Sequence, residues 1–215
     1  LEFRRVLFRS VRDLRQPPAI VHAGAMAAGS HHIRLSTLFS RPRDEDSAAR
    51  VGRQLWESTG LSPSDVDAAF FYDFFTSLVI IALEDYGFCA KGKGGEYVSN
   101  GTIELGGRRP NNTAGGHLCE GYTHGMNMVI ENVRQLRHDI DDSCPMGPDG
   151  KRVHTYDYRE GGCRQVKNIE VTANLGWANP MTTSAMVMRR GALAGGNDIS
   201  TIRAEYMGMP LQIDD

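Results

Sequence analysis

Apolar positions fall into short clusters whose spacing switches between strand-like and helix-like along the chain. Ala19-Ile20-Val21-His22-Ala23, after Pro17-Pro18, is a compact apolar run that predicts a strand. Val51, Leu55 and Trp56 share one face of a helix predicted from a Ser47 cap to about Ser58, with Gly60 as its stop. Leu61–Asp67 reads as a turn that feeds a strand near Ala68–Tyr72. Leu78 to Leu83 are apolar around most of a helical circumference. That predicts a buried, central helix, capped by Thr76 and ending at Tyr86–Gly87. Met126, Val129, Ile130, Val133 and Leu136 follow the i, i+3, i+4, i+7 pattern of an amphipathic helix starting near Thr123. Val166–Leu175 and Thr183–Met188 predict two closing strands.

The polar stretches between these clusters complete the layout. Residues 24–46 and the glycine-rich 91–120, with its Pro110-Asn111-Asn112-Thr113 turn, are expected to be loops, and a loop as long as the second is usually functional or disordered. Residues 138–163 read as a polar insert, and Gly191 onward as a tail. The first ten residues alternate Arg with Leu, Val and Phe and lack an initiator Met; they are expected to be a scar or non-native segment, leaving 11–190 as the domain. The alternation of strands and helices implies an α/β layered domain with a mixed sheet flanked by helices.

Composition narrows the function classes. The 215 residues are 40% apolar, enough for one well-buried domain. The net charge is -2 and the basic residues are scattered, so nothing suggests a nucleic-acid footprint. No apolar run approaches the roughly 18–20 residues of a membrane span, and the alternating start of this sequence leads to no expectation of a secretory signal. Cys89, Cys119, Cys144 and Cys163 show no metal-ligand spacing and are expected to be ordinary reduced thiols of a cytoplasmic protein. Arg108-Arg109 is open between a solvated pair and a contact for a CoA phosphate. His154, Tyr156 and Tyr158 are expected in a solvated loop, as is His31-His32.

Two junctions carry the chemistry. Tyr72 lies in Phe70-Phe71-Tyr72-Asp73-Phe74-Phe75-Thr76 and Tyr122 in Gly121-Tyr122-Thr123-His124-Gly125, each joining an apolar element to a helix start. Either tyrosine alone would more simply be a packed, half-buried residue. As a pair they can accept and donate a proton. A phenol beside a helix N-terminus has its ionised form favoured by the dipole.

The stretch from Asp65 to Leu136 resembles the C-terminal half of the thiolase family, and the likeness extends more weakly over Val11–Arg190. It rests on Ser64-Asp65-Val66-Asp67, on Asp73-x-Phe75-Thr76, on Gly87-Phe88-Cys89 and on Asn111-x-x-x-Gly115-Gly116. Gly121-x-x-x-Gly125 and Val133-Arg134-Gln135-Leu136-Arg137 complete the set. The branch it most resembles is that of the thiolase-like lipid-transfer proteins, which includes sterol carrier protein X thiolases and bacterial steroid side-chain aldolases. The resemblance implies a thiolase-like fold for this chain, as the second half of a longer enzyme.

Where thiolases of this branch read His-Asp-Cys-Phe, this chain reads Tyr72-Asp73-Phe74-Phe75; where they read Gly-His-Pro-x-Gly, it reads Gly121-Tyr122-Thr123-His124-Gly125. At the turn Asn174-Leu175-Gly176 it lacks the reactive cysteine of many thiolases. Claisen exchange needs a thiolate and a base near neutral pKa, whereas a phenol titrates near ~10. The resemblance therefore implies retro-aldol cleavage of a bulky, steroid-like β-hydroxyacyl-CoA, with Tyr72 and Tyr122 catalytic. The alternatives are an acyl-CoA acyltransferase whose cysteine lies elsewhere, and a non-catalytic acyl-CoA or lipid-binding scaffold. Asp73, His124 and Asn111 are the implied supporting residues, with Asp73 as a cap or loop anchor and Asn111 holding the glycine loop. Phe75, Gly115, Gly116, Gly125 and Gly176 are the implied substrate or CoA contacts. No separate cofactor is implied, CoA entering as part of the substrate. A homodimer and a small OB-fold/zinc-ribbon protein are the implied partners, and an apolar face is expected to lie exposed on this half.

Overall fold

A computed structural model of the chain describes residues 17–28, 46–121, 123–140, 144–151, 163–176 and 182–191. Strand β1 spans Ala19–Ala28, helix α1 Ser47–Thr59, β2 Ala68–Phe71 and α2 Thr76–Asp85. The short α3 spans Gly94–Ser99, α4 Met126–Arg137, β3 Val171–Leu175 and β4 Thr182–Arg190. The sheet order is β1-β4-β3-β2. The β1–β4 and β4–β3 pairs are antiparallel and β3–β2 is parallel, which gives the mixed sheet expected from the alternating pattern.

Strand β2 shows why two helical layers form. All four residues are buried and they alternate faces. Ala69 and Phe71 join Val51, Leu55, Leu83 and Tyr86 on one side, where α1 and α2 pack. Ala68 and Phe70 join Met128, Leu136 and Met188 on the side of α4. A strand covered on both faces is apolar throughout, as this one is. Its outer edge is covered by residues 110–112: Ala69 N–H donates to Pro110 O at 3.1 Å and Asn112 N–H to Ala69 O at 3.1 Å.

Several expectations need correction. Strand β1 continues to Ala28, through residues expected in the loop, because its backbone pairs with β4 as far as Thr182 despite the low strand propensity of its Gly and Ala residues. Ser47 does not cap α1; it is the first helical residue, buried, and its hydroxyl meets Thr183 Oγ1 at 2.9 Å across the core. Thr76 is likewise the first helical residue of α2, with Phe75 at the cap position. Helix α3 lies within the expected 91–120 loop. Its two leading glycines disguise it, yet Gly94 is required there, since a Cβ would lie 2.6 Å from Ile80 Cγ2. Only residues 171–175 of the expected strand 166–175 pair as strand.

The apolar stripe of α4 is also rotated from expectation. Met126 and Ile130 are exposed, while Met128, Glu131, Asn132, Gln135 and Leu136 are buried. Phe75 and Leu118 are exposed as well. Cys144 and Cys163 are not two separate thiols but join as a disulfide, drawing together the two ends of the polar insert. Cys89 is half-buried and Cys119 exposed. Residues 1–16, His31-His32, His154, Tyr156, Tyr158 and 192–215 lie outside the described residues.

Candidate active site

Tyr72 follows β2 directly, and its backbone N–H donates to Leu175 O at 3.1 Å, extending the parallel β2–β3 ladder by one bond. The period-2 alternation carries its side chain to the α4 face, beside Phe70, where it packs half-buried against the smaller core. Among the described residues, its ring meets Phe74, His117 and Gly125. Phe74 lies 5.3 Å away between centroids, tilted 46°. His117 lies 4.8 Å away, tilted 32°. The backbone of Gly125 also lies against it: a Cβ there would stand 3.1 Å from Tyr72 Cδ2 and 3.2 Å from Met128 Cε. Gly125, at φ 85, is the cap residue of α4, so the ring of Tyr72 rests against the positive end of that helix.

Asp73 is buried, and its Oδ1 accepts the backbone N–H of His117 at 2.7 Å. This is the loop-anchoring role expected of it. Gly116 has to be glycine for two reasons. Its φ 71, ψ -166 is a region open in practice to glycine alone, and a Cβ would stand 2.1 Å from Asp73 Oδ2. The anchoring expected of Asn111 falls instead to its neighbour. Asn112 Oδ1 accepts from Phe71 N–H at 2.8 Å, and its Nδ2 donates to Phe71 O at 3.0 Å. The amide thus satisfies both backbone groups of one strand residue, as a paired strand would. Asn112 adopts φ 46, a left-handed conformation that asparagine tolerates. Asn111 contributes through its backbone, bridging to Ala69 and donating to Ile103 O at 3.0 Å.

A buried carboxylate holds this loop to α4. Glu131 accepts from Thr113 Oγ1 at 2.8 Å, Gln135 Nε2 at 3.2 Å and Arg164 Nε at 3.0 Å. Burial of a charge is tolerable because it is paired and multiply hydrogen-bonded. Of the polar residues that disturb the helical stripe of α4, Glu131 and Gln135 dock the glycine loop through Thr113, whereas Asn132 bonds Met128 O in its own helix.

The other expected residues are placed as follows. Phe75 is exposed, its ring 5.1 Å from Phe74, so Phe75, Phe74, Tyr72 and His117 form a ladder from solvent into the core. Gly115, at φ 96, is exposed and approaches Cys119. His124 is exposed, at φ 52, before α4. Gly176 packs on β4, where a Cβ would stand 2.3 Å from Ser184 O, and its carbonyl accepts Tyr86 OH at 2.6 Å. Gly116, Gly125 and Gly176 thus owe their size to the protein's own packing. Tyr122 lies outside the described residues. Arg109 is neither solvated nor placed for a phosphate: it is buried, bonding Val66 O at 2.9 Å, Ser64 O at 3.3 Å and Tyr97 OH at 3.2 Å. Among the described residues no group of three or more His, Cys, Asp or Glu is arranged to hold a metal, and no helix is long and apolar enough to cross a membrane.

Sequence reasoning missed two residues. His117 carried no signal beyond its position after Gly115-Gly116, and its importance depends on the long-range contact with Tyr72. Asn112 could not be told from Asn111 by spacing, because either amide is near enough in sequence to hold the loop.

A family model described as thiolase C-terminal domain-like matches residues 24–148. The chain is 44% identical over 127 residues, 59% of its length, to the 17-hydroxy-3-oxo-4-pregnene-20-carboxyl-CoA lyase of Mycobacterium tuberculosis, of which it covers 33%. It is 44% identical over 127 residues, again 59% of its length, to the steroid side-chain-cleaving aldolase of Thermomonospora curvata, covering 32% of it. The chain thus spans about a third of the length of these curated relatives. Among solved structures, the Ltp2-ChsH2(DUF35) aldolase matches with a TM-score of 0.64 and 32% identity, over 83% of this chain and 41% of that one. With more than half of its residues inside the matched region, the chain belongs to the thiolase C-terminal domain-like family.

Proposed function

We propose that this chain contributes to a retro-aldolase site that cleaves a β-hydroxyacyl-CoA thioester bearing a bulky, steroid-like group. The observation that carries the reading is the convergence of the two tyrosine-bearing motifs. Tyr72 packs its ring onto Gly125, and Gly125 comes three residues after Tyr122. The names of the relatives support the same reaction class.

In the reaction, one tyrosine, as its phenolate, takes the proton of the β-hydroxyl as the Cα–Cβ bond breaks. The oxygen becomes a ketone, and the electron pair moves onto the thioester as an enolate. Protonation of that enolate at Cα, with the proton returned through the second phenol, yields the shortened acyl-CoA. Neither transfer needs a covalent intermediate, so the absence of a cysteine at Phe74 is no obstacle. The positive end of α4 beside Tyr72 favours negative charge there. Phe75, Gly115 and His124 are exposed, and we assign them to contact with the acyl-CoA. No separate cofactor is required.

The neighbouring aldolase is named for two components, Ltp2 and ChsH2(DUF35). By analogy we assign this chain to a cytoplasmic homodimer working with a small OB-fold/zinc-ribbon partner. The test is to give the whole protein that carries this chain, with its partner, a 17-hydroxy steroid propionyl-CoA thioester. Ketone plus propionyl-CoA is the expected outcome; acetyl exchange with free CoA, or binding without turnover, would overturn it. Tyr72→Phe and Tyr122→Phe each remove one hydroxyl, and at least one should lose about 100-fold in kcat or more. Wild-type turnover by both variants would end the assignment.

A further inference from the structure

We infer that His117 is a positioning residue for Tyr72, an inference that rests on the aldolase reading. The two residues grip each other twice. Asp73, adjacent to Tyr72, holds the backbone N–H of His117 at 2.7 Å, and the His117 ring lies 4.8 Å from the Tyr72 ring at a tilt of 32°. His117 is only 4% exposed, so its ring has little freedom to leave that stack. Phe74 and the Gly125 backbone also lie against the phenol ring. Phe74 is itself half-buried and leans on exposed Phe75, so that side of the clamp is the softer one. His117 is the rigid wall. It is fixed to the strand end that bears Tyr72, and so it sets the direction in which the hydroxyl points.

A phenol that takes or gives a proton has to meet the substrate oxygen in a narrow range of angles, and a misplacement of about 1 Å can cost 10²-fold in rate. Removing the wall should therefore lower kcat while leaving binding nearly intact. A flat ring of similar size should restore it.

The experiment uses the whole protein with the steroid thioester, and compares His117→Ala, His117→Phe, Tyr72→Phe and the double variant Tyr72→Phe/His117→Ala. His117→Ala is expected to lose on the order of 10- to 100-fold in kcat with KM within about 3-fold of wild type. His117→Phe is expected to recover to within about 3-fold of wild type, although it carries no ring nitrogen. In the Tyr72→Phe background, His117→Ala is expected to cost less than about 2-fold more, because the hydroxyl it aims is gone. A large loss with Tyr72→Phe but none with His117→Ala would overturn the positioning and leave the aldolase reading standing. Failure of His117→Phe to rescue, or full additivity of the two losses, would also overturn the positioning. If Tyr72→Phe and Tyr122→Phe both turned over like wild type, the aldolase reading itself would fail.

Discussion

Gly116→Ala is the most discriminating perturbation of the site's frame. The substitution adds one methyl group and nothing else, yet two separate costs arise. The backbone at φ 71, ψ -166 is strained for any residue with a Cβ, at about 1–3 kcal/mol. The new Cβ would also stand 2.1 Å from Asp73 Oδ2 and 2.8 Å from Asn112 Nδ2, distances at which an atom has to move. Asp73 has little room, since it is buried and held by His117 N–H at 2.7 Å. If it swings away, a charge-assisted hydrogen bond worth about 1.5–3 kcal/mol is lost. The combined effect is about 2.5–6 kcal/mol, a large fraction of the roughly 5–15 kcal/mol stability of an ordinary domain. Gly95→Ala is the internal control. A Cβ added at Gly95 would meet no atom within 4 Å, and the backbone there has no positive φ, so alanine should stabilise helix α3 by about 0.4–1 kcal/mol. Urea unfolding followed by circular dichroism measures both. Gly116→Ala within about 0.5 kcal/mol of wild type would refute the packing of Gly116 against Asp73.

Two further outcomes follow from the same frame. Asn112→Ala leaves both backbone groups of Phe71 without their amide partner and should cost about 2–4 kcal/mol in urea unfolding, while Asn111→Ala should cost less. Tyr86 is buried, and that burial, with Asp85 beside it, raises its pKa well above 10.0, so the folded state resists ionisation. Because the folded pKa lies above the unfolded one, the stability linked to Tyr86 is fully present below about pH 10 and is lost as pH rises toward the folded value. Tyr86→Phe removes the bond to Gly176 O, costing about 1–3 kcal/mol near neutrality, and its deficit against wild type should shrink above about pH 10. A deficit that stayed constant through alkaline pH would count against the burial of that phenol.

What could be read from the chain divides by the range of the interactions involved. Helix α1 was legible because its signals are local: Val51 and Leu55 recur at helical spacing and are fully buried, and Gly60 stops the helix in a left-handed conformation. Apart from α3, hidden in the expected loop, the order of elements and the mixed sheet were legible for the same reason. Helix α4 was legible as a helix but not in its facing. Glu131, Asn132 and Gln135 look like a solvent face in sequence, and only the distant Thr113, Arg164 and Val166 make the burial of Glu131 and Gln135 tolerable. Of the site, Tyr72 and Asp73 were legible from their place at a strand-to-helix junction. His117 and Asn112 were not, because both act across a separation of about 40 residues, and their partners leave no periodic trace: a carboxylate and a ring face for one, backbone groups for the other. Arg109 shows the opposite error: a pair of arginines in a loop suggests solvent, but three carbonyl and hydroxyl acceptors draw one of them inside.

The frame and the chemistry are built from different atoms. Position 72 is located by the N–H bond to Leu175 O, by the Asn112 grip on Phe71 and by the Asp73 grip on His117. The ring packing on Phe74, His117 and Gly125 needs an aromatic ring of that size. A phenylalanine at 72 keeps all of these contacts and loses only the hydroxyl. Stability and activity can therefore be separated: Tyr72→Phe should test proton transfer with little disturbance of the fold, whereas Gly116→Ala should disturb the fold without touching a reacting atom. A site organised in this way can change its chemistry by exchanging one ring for another on an unchanged support. That is the physical sense in which a thiolase-like scaffold can present a phenol in place of an imidazole at the same junction.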